Sequence, residues 1–236
     1  MADDPAWLKE VLKRGYKPSK TYLGLDDSLL SFVRNGGSTI HKIPAHRIYV
    51  LEGLPGSGKS TTIQTLKNSY GLQTIDQILP HEPKNDQSMS PEFYFKSDEL
   101  KTTRAIDNGY SPTIIDRYYV STLAFYWASD RVFGTNNYKT VFSWYEDAMR
   151  HGKLLMPFST FYIDIDVALS SHHKKRVLTR SSTDAWTNSA FVASLKKYYE
   201  YFFSQIEPRS KVIRVSSTSS LKDIEKSVIR EIYDRQ

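Results

Sequence analysis

The chain has 236 residues, of which 39% are hydrophobic and 25% are charged, and its formal net charge is +6. This length and composition suit one globular α/β domain with some additional sequence. The positive charge fits either an anionic substrate or a solvated Lys/Arg surface. Because no tract is basic enough to line a polynucleotide groove, nucleic acid is not expected as a partner.

The chain contains no cysteine, which excludes disulfides, thiolate nucleophiles and Cys-ligated zinc. No apolar run is long enough to cross a bilayer, and the acidic start Met1-Ala2-Asp3-Asp4 differs from a signal peptide. These features predict a cytoplasmic protein without a membrane partner. They leave the oligomeric state open, including a homodimer.

Residues 1–45 differ in pattern from the rest of the chain and are interpreted as an N-terminal extension. Asp4-Pro5 is a typical start for a short helix that would reach Lys13. We expect this extension to pack on the main domain, which spans residues 46–236. A partner-binding arm is the alternative.

From Arg47 onward, strand-like runs alternate with helical patterns. The predicted strands are Ile48–Leu51, Thr74–Leu79, Thr113–Ile115, Thr160–Ile165 and Val212–Val215. The predicted helices are Lys59–Ser69, Pro91–Asn108, Ser121–Ala128, Lys139–His151, Ala168–Arg176, Ser189–Gln205 and Leu221–Tyr233. This alternation predicts a parallel sheet covered by helices on both faces. Ligands of such sheets bind at the carboxyl ends of the strands, so the loops there are the candidate functional segments.

The first of these loops has the pattern of a phosphate-binding loop. It follows a predicted strand and runs directly into a predicted helix, as the Walker A motif requires. Glycines let backbone N–H groups converge on phosphate oxygens, and the helix N-terminus adds a positive dipole. Lys59 should reach the β- and γ-phosphates, and Ser60 should ligate Mg²⁺. The predicted nucleotide-binding residues are Gly53, Gly56, Ser57, Gly58, Lys59, Ser60 and Thr61.

A carboxylate and a guanidinium follow the third predicted strand, at Asp116 and Arg117. A carboxylate at this edge of the sheet can orient Mg²⁺ or its water, and Arg117 can neutralise charge on a transferring phosphoryl group. The alternative is a surface ion pair at the start of the next helix. The neighbouring P-loop favours the functional interpretation.

The stretch Asp116-Arg117-Tyr118 with Ser121 and Ala124-Phe125 resembles the DRY-x-x-S-x-x-A-Y signature of thymidylate kinases, with one aromatic changed. Together with the P-loop, it makes residues 46 to the end similar to the thymidylate kinase and deoxynucleoside kinase superfamily. The resemblance implies a P-loop NTPase fold of the nucleoside monophosphate kinase type: three layers, a five-stranded parallel sheet and a helical lid. It also implies ATP and Mg²⁺ as cofactors.

Two further segments fit this resemblance. His81-Glu82-Pro83 follows the second strand, and in deoxynucleoside kinases the Glu of such a pair is the general base on the acceptor hydroxyl, a role that the resemblance implies for Glu82. An exposed loop acid is the alternative. After Thr160–Asp166 comes a basic helix with Arg176 and then Arg180. The resemblance implies a lid whose arginines balance charge on the phosphoryl group, and a solvated basic helix is the alternative.

The acceptor is less well defined than the donor. His81 stands where thymidylate kinases place an Arg that holds the acceptor's monophosphate. This difference favours a nucleoside or another neutral hydroxyl compound as acceptor, unless Lys96, Lys101 and Arg104 rebuild an anion site on their helix. Bulky aromatics such as Tyr94 and Phe125 could wall an acceptor pocket or belong to the core. A kinase of a natural product or sugar and a non-catalytic nucleotide-binding switch remain alternative functions.

Overall fold

The computed structural model describes residues 48–77, 90–109, 111–177, 185–205, 210–214 and 219–234. The strands are β1 Ile48–Gly53, β2 Gln73–Ile75, β3 Thr113–Asp116, β4 Ser159–Asp164 and β5 Ser210–Arg214. The helices are α1 Lys59–Tyr70, α2 Pro91–Asp107, α3 Tyr119–Phe133, α4 Tyr138–Arg150, α5 Val167–Val177, α6 Ser189–Gln205 and α7 Leu221–Asp234, with a short 3₁₀ helix at Ala185–Thr187. The predicted extension over residues 1–45 lies outside the described residues.

The five strands form one parallel sheet in the order β2-β3-β1-β4-β5. The predicted α/β fold with a five-stranded parallel sheet is therefore confirmed. β1 is central and pairs with β3 and β4, for example Leu51 with Asp116 and with Phe161. All six residues of β1 are buried, as expected for a strand covered on both faces.

The second strand is shorter than the sequence predicted. It ends at Ile75 rather than Leu79, and residues 78–79 lie outside the described residues. Among the described strands β2 pairs with β3 alone, and its first residue is exposed. An edge strand has a neighbour on one side only, so its apolar pattern is a weak guide to where pairing ends.

The core between the sheet and the helices is rich in aromatic rings. The Tyr162 ring on β4 stacks on the rings of Tyr199 and Phe203 on α6, with centroids 5.2 Å and 5.0 Å apart. These contacts pack α6 against the sheet and place Tyr199 near the carboxyl edge, where the P-loop begins. Across the described ranges, no helix is both long and apolar enough to cross a bilayer.

Candidate active site at the carboxyl edge of the sheet

The loop between β1 and α1 adopts a conformation that only glycine accommodates at two points. Gly53 has a φ of 150°, and a Cβ there would lie 2.7 Å from the carbonyl oxygen of Ile163. Gly58 has a φ of 89° and precedes the first residue of α1. A side chain at either position would strain the backbone, and a Cβ at Gly58 would lie 2.9 Å from the Leu221 side chain. Glycines of positive φ in a loop that runs into a helix N-terminus are the backbone features of an anion site.

The ammonium group of Lys59 is folded into this loop. Its Nζ donates to the carbonyls of Gly53 and Leu54 at 2.9 Å and 2.8 Å and to the hydroxyl of Ser57 at 3.0 Å. Lys59 is only 5% exposed. The lysine thus holds the loop closed around itself, and phosphate oxygens would replace these acceptors when a nucleotide binds.

The fifth helix secures the tip of the same loop. The hydroxyl of Ser170 donates to the carbonyl of Pro55 at 2.6 Å, and Nδ1 of His173 lies 2.9 Å from the carbonyl of Gly56. α5 is the basic helix that contains Arg176 and belongs to the region predicted to form the lid. The two bonds therefore connect the P-loop to this helix.

Ser60 and Asp116, the two predicted Mg²⁺ ligands, meet beside the loop. The Ser60 hydroxyl donates to Oδ2 of Asp116 at 3.4 Å, and Oδ1 of Asp116 is buried without a hydrogen-bond partner among the described residues. A hydroxyl next to an unsatisfied carboxylate oxygen is a donor set that suits Mg²⁺ bound together with a triphosphate. Within the described ranges no three His, Asp or Glu side chains form a metal cluster, and such a Mg²⁺ does not require one.

Arg117 takes an unusual backbone conformation. Its φ is 57°, the only positive value among the described non-glycine residues, and its N–H donates to the carbonyl of Leu51 at 3.1 Å. A left-handed non-glycine residue costs on the order of 1 kcal/mol or more, so other contacts must hold it. Nη1 of Arg117 donates to the hydroxyls of Ser121 at 3.0 Å and of Tyr199 at 3.3 Å.

A cleft of about 450 Å³, including its mouth open to solvent, adjoins Arg117. Tyr94, Phe125 and Trp186 form one aromatic part of its lining. The Phe125 ring centroid lies 6.1 Å from that of Tyr94 and 5.5 Å from that of Trp186. The other lining residues are Gln77, Lys101, Arg117, Tyr118, Ser121, Thr122, Leu195 and Tyr199. This size and mixture of rings and polar groups is typical of a small-molecule site.

The lysine in this cleft is neutralised by a buried partner. Nζ of Lys101 lies 2.9 Å from Oδ1 of Asp98 and donates to the carbonyl of Arg117 at 3.0 Å. Oδ2 of Asp98 accepts from the hydroxyl of Tyr145 at 2.6 Å. Of the three cations that the sequence placed on this helix, only Lys101 lines the cleft, whereas Lys96 and Arg104 are exposed.

Known proteins are similar in sequence to most of this chain. No family model matches the chain. A probable thymidylate kinase of Picrophilus torridus is 26% identical over 199 residues, which cover 78% of this chain and 94% of that protein. A probable thymidylate kinase of Methanosarcina acetivorans is 24% identical over 80% of this chain and 96% of that protein.

Solved structures share the fold. A deoxyadenosine kinase of M. mycoides superposes with a TM-score of 0.58 at 16% identity, over 80% of this chain and all of that one. The thymidylate kinase of Candida albicans gives a TM-score of 0.57 at 15% identity, over 80% and 92% of the two chains. The chain is therefore similar in sequence to probable thymidylate kinases and shares its fold with solved structures of deoxyadenosine kinase and thymidylate kinase.

Several predicted site residues lie together at the carboxyl edge. Asp116 is the last residue of β3 and contacts Ser60, and Arg117 comes next in the chain. Thr61 lies in the first turn of α1 and is exposed. Glu82 and Arg180 lie outside the described residues. Arg176 lies in α5, and its side chain is outside what the structure describes. Asp164, a further carboxylate at a strand end, is paired with Lys196.

Glu52 was not among the site residues predicted from the sequence. This residue is fully buried one position before the P-loop, and its carboxylate accepts hydrogen bonds from the backbone N–H of Tyr118 at 2.9 Å and from the hydroxyl of Ser121. A signal was present, since Glu52 is a charged residue at the end of an apolar strand, as Asp116 is. Tyr199 was also missed, and it is 82 residues from the arginine that it contacts, so no local pattern could reveal it.

Proposed function

We propose that this protein is an ATP- and Mg²⁺-dependent kinase that transfers the γ-phosphoryl group to a nucleoside or nucleoside monophosphate. The observation that carries the proposal is Arg117, which lines the acceptor-sized cleft while its neighbour Asp116 contacts Ser60 at the end of the P-loop. The proposed donor and acceptor sites are therefore neighbours, because Asp116 lies in the first and Arg117, the next residue, lines the second. A cleft of this kind also argues against a non-catalytic switch, which needs no second substrate.

Each residue of the donor site has a role set by its contacts. The loop glycines and Lys59 would hold the β- and γ-phosphates, and Ser60 and Asp116 would hold Mg²⁺, whose charge would neutralise part of the triphosphate's charge. Arg117 stabilises the negative charge that is spread over the phosphoryl oxygens during transfer. Arg176 and Arg180 are proposed to add positive charge from the lid, and Glu82 to accept the proton of the acceptor hydroxyl.

The walls of the cleft suit an acceptor with a flat ring. Tyr94, Phe125 and Trp186 offer aromatic faces and edges, against which a nucleobase can stack. The deoxyadenosine kinase and thymidylate kinases that this chain resembles act on nucleobase-containing acceptors by name. A sugar, or another small hydroxyl compound that has no aromatic ring, would leave these aromatic surfaces without a stacking partner.

The charge balance of the cleft favours a neutral acceptor. The cleft cations among the described residues are Lys101 and Arg117, and each lies near a buried carboxylate, Asp98 or Glu52. A monophosphate carries about two negative charges at neutral pH and needs cations that are not already balanced. We therefore place a nucleoside, or a similar neutral hydroxyl compound, ahead of thymidylate.

The absence of cysteine suits a cytoplasmic location, which stays a prediction.

The test is a panel of nucleosides and their monophosphates with ATP and Mg²⁺, scored by ADP release and by mass spectrometry of the acceptor. Wild-type protein should phosphorylate at least one nucleoside with a higher kcat/KM than the matching monophosphate. Lys59→Ala should remove most of the transfer. Lys67→Ala is the matched control, because Lys67 is an exposed lysine on the same helix, and it should behave as wild type.

The same panel separates the two acceptor classes through Glu82→Gln. If the acceptor is a neutral hydroxyl compound, this variant should lose most of its rate, because no carboxylate then accepts the proton. A clear preference for a monophosphate, with Glu82→Gln nearly silent, would replace the nucleoside by a thymidylate-type acceptor and leave the donor site unchanged. ADP release independent of every acceptor would contradict the proposed kinase function itself.

A further inference from the structure

Glu52 is a buried carboxylate beside the phosphate site without a role in the mechanism proposed above. It is 0% exposed, at the end of the central strand and one residue before Gly53. Burying a carboxylate is unfavourable unless hydrogen bonds and nearby positive charge compensate for the lost water. Burial raises the pKa of Glu52, and the positive charge of Arg117 opposes that rise, followed by the hydrogen bond from Ser121.

The hydrogen bonds around Glu52 can be assigned proton by proton. Oε1 accepts from the backbone N–H of Tyr118 at 2.9 Å, and Oε2 accepts from the hydroxyl of Ser121 and, at 3.4 Å, from that of Tyr199. The Ser121 and Tyr199 oxygens are 2.8 Å apart. Burial raises the pKa of the Tyr199 phenol, so this hydroxyl keeps its proton.

This assignment leaves both hydroxyl oxygens able to accept from Arg117. Each hydroxyl points its own proton toward Glu52 or its neighbour, so its lone pairs face the guanidinium, and Nη1 donates to both. The backbone of Arg117 is held at the same time, because the Tyr118 N–H bound by Glu52 is the next amide in the chain. Glu52 is therefore hydrogen-bonded both to the amide that follows Arg117 and to the two hydroxyls that the Arg117 side chain contacts.

We propose that Glu52 is a positioning residue, which acts through Ser121, Tyr199 and the Tyr118 amide to aim the Arg117 guanidinium at the phosphoryl group in transfer. The inference rests on the proposed kinase function. A guanidinium displaced by about 1 Å loses much of its effect on a transition state, where alignment alone can be worth about 100-fold in rate. Glu52 itself contacts neither the nucleotide site nor the acceptor cleft in this account.

A glutamine at this position has nearly the same shape but one acceptor fewer. Its amide oxygen can satisfy the Tyr118 N–H, and its NH₂ group then faces Ser121 and Tyr199 as a donor. Those two hydroxyls would receive protons from both the amide and Arg117 and would have to turn their own protons elsewhere. The variant therefore keeps the packing and removes the arrangement that orients Arg117.

The experiment is a double-mutant cycle on kcat with saturating ATP, in wild type, Glu52→Gln, Arg117→Ala and the double variant. Glu52→Gln should lower kcat by about 10- to 100-fold and change KM for ATP by less than about 3-fold. In the Arg117→Ala background the same substitution should change kcat by less than about 3-fold, because the group that it positions is gone. Glu231→Gln, at a buried glutamate on α7, is the matched control and should leave kcat unchanged.

The outcomes separate this inference from the proposed function. Equal losses in both backgrounds, or no loss in either, would overturn the positioning role while leaving the kinase function intact. If wild-type protein transfers no phosphoryl group to any acceptor, the proposed function fails, and crystal structures of wild type and Glu52→Gln then decide the positioning claim. Arg117 should leave Ser121 and Tyr199 in the variant, and an unmoved guanidinium would contradict the inference.

Discussion

Replacing Lys101 with methionine tests whether the acceptor cleft contains a charge-balanced pair. Lys101 is 3% exposed and Asp98 is 1% exposed, so methionine fills the space of the aliphatic stem but leaves a carboxylate buried without its ion-pair partner. The carbonyl of Arg117 also loses the donor that lies 3.0 Å away. Breaking a buried ion pair from one side costs about 3–5 kcal/mol.

This cost is large for a domain of this size. Total stability is about 5–15 kcal/mol for typical domains, so the variant should lose a substantial part of it. At about 2–4 °C for each kcal/mol in a chain of this length, the melting temperature should fall by about 6–20 °C. The measurement is urea unfolding and differential scanning calorimetry at neutral pH.

Two controls make the result specific. In Asp98→Asn/Lys101→Met, the asparagine removes the uncompensated charge and keeps an acceptor for the Tyr145 hydroxyl, so most of the lost stability should return. Arg150→Met breaks an ion pair with Glu146 in which the arginine is 55% exposed, and should cost less than about 1 kcal/mol. If the double variant is no more stable than Lys101→Met, the pair is not the reason for the loss, and the charge argument for a neutral acceptor fails with it.

Three further results are expected. Arg117→Ala should lower kcat about 100-fold or more while KM for ATP changes little, because its charge acts on the transition state; an effect on ATP affinity alone would make it a ground-state contact. Gly53→Ala should lower stability by about 1–3 kcal/mol and weaken ATP binding, because its Cβ would lie 2.7 Å from the Ile163 carbonyl. Gly134→Ala is the control, because no atom lies within 4 Å of its Cβ. It should lower stability by only about 1 kcal/mol, through backbone strain, and leave ATP binding unchanged. Burial raises the pKa of Glu52, so the folded state binds the carboxyl proton more tightly than the unfolded state does. The stability of wild type relative to Glu52→Gln should therefore fall as pH rises above about 4.3 and level off above the folded pKa. Urea unfolding measured across this pH range would contradict the assignment if the stability of wild type relative to the variant increased with pH.

The order of strands and helices could be predicted from the sequence. Ile48–Leu51 is an apolar run followed by a glycine-rich loop. The predicted helix start at Pro91 agrees with α2, whose first turn is capped by Ser90 accepting from the N–H of Phe93 at 3.3 Å. Such features depend on neighbours within a few residues, so they can be predicted without a fold. The same holds for the P-loop and for Asp116, whose place after a buried strand indicated its edge of the sheet.

What the sequence determined by itself was the phosphate-loop pattern on which the proposed donor chemistry depends, because Gly53 to Thr61 is one continuous segment whose spacing can be read without a fold. The tertiary structure decided which groups surround Arg117. Glu52, Ser121 and Tyr199 come from three separate elements, and their hydroxyls and carboxylate meet only when β1, α3 and α6 pack together. The tertiary structure also decided that Lys101 faces Asp98 in the cleft while Lys96 and Arg104 face solvent. Burial and partner choice depend on packing between distant segments, and this is why the charge balance of the acceptor site could not be predicted from residue types and spacing.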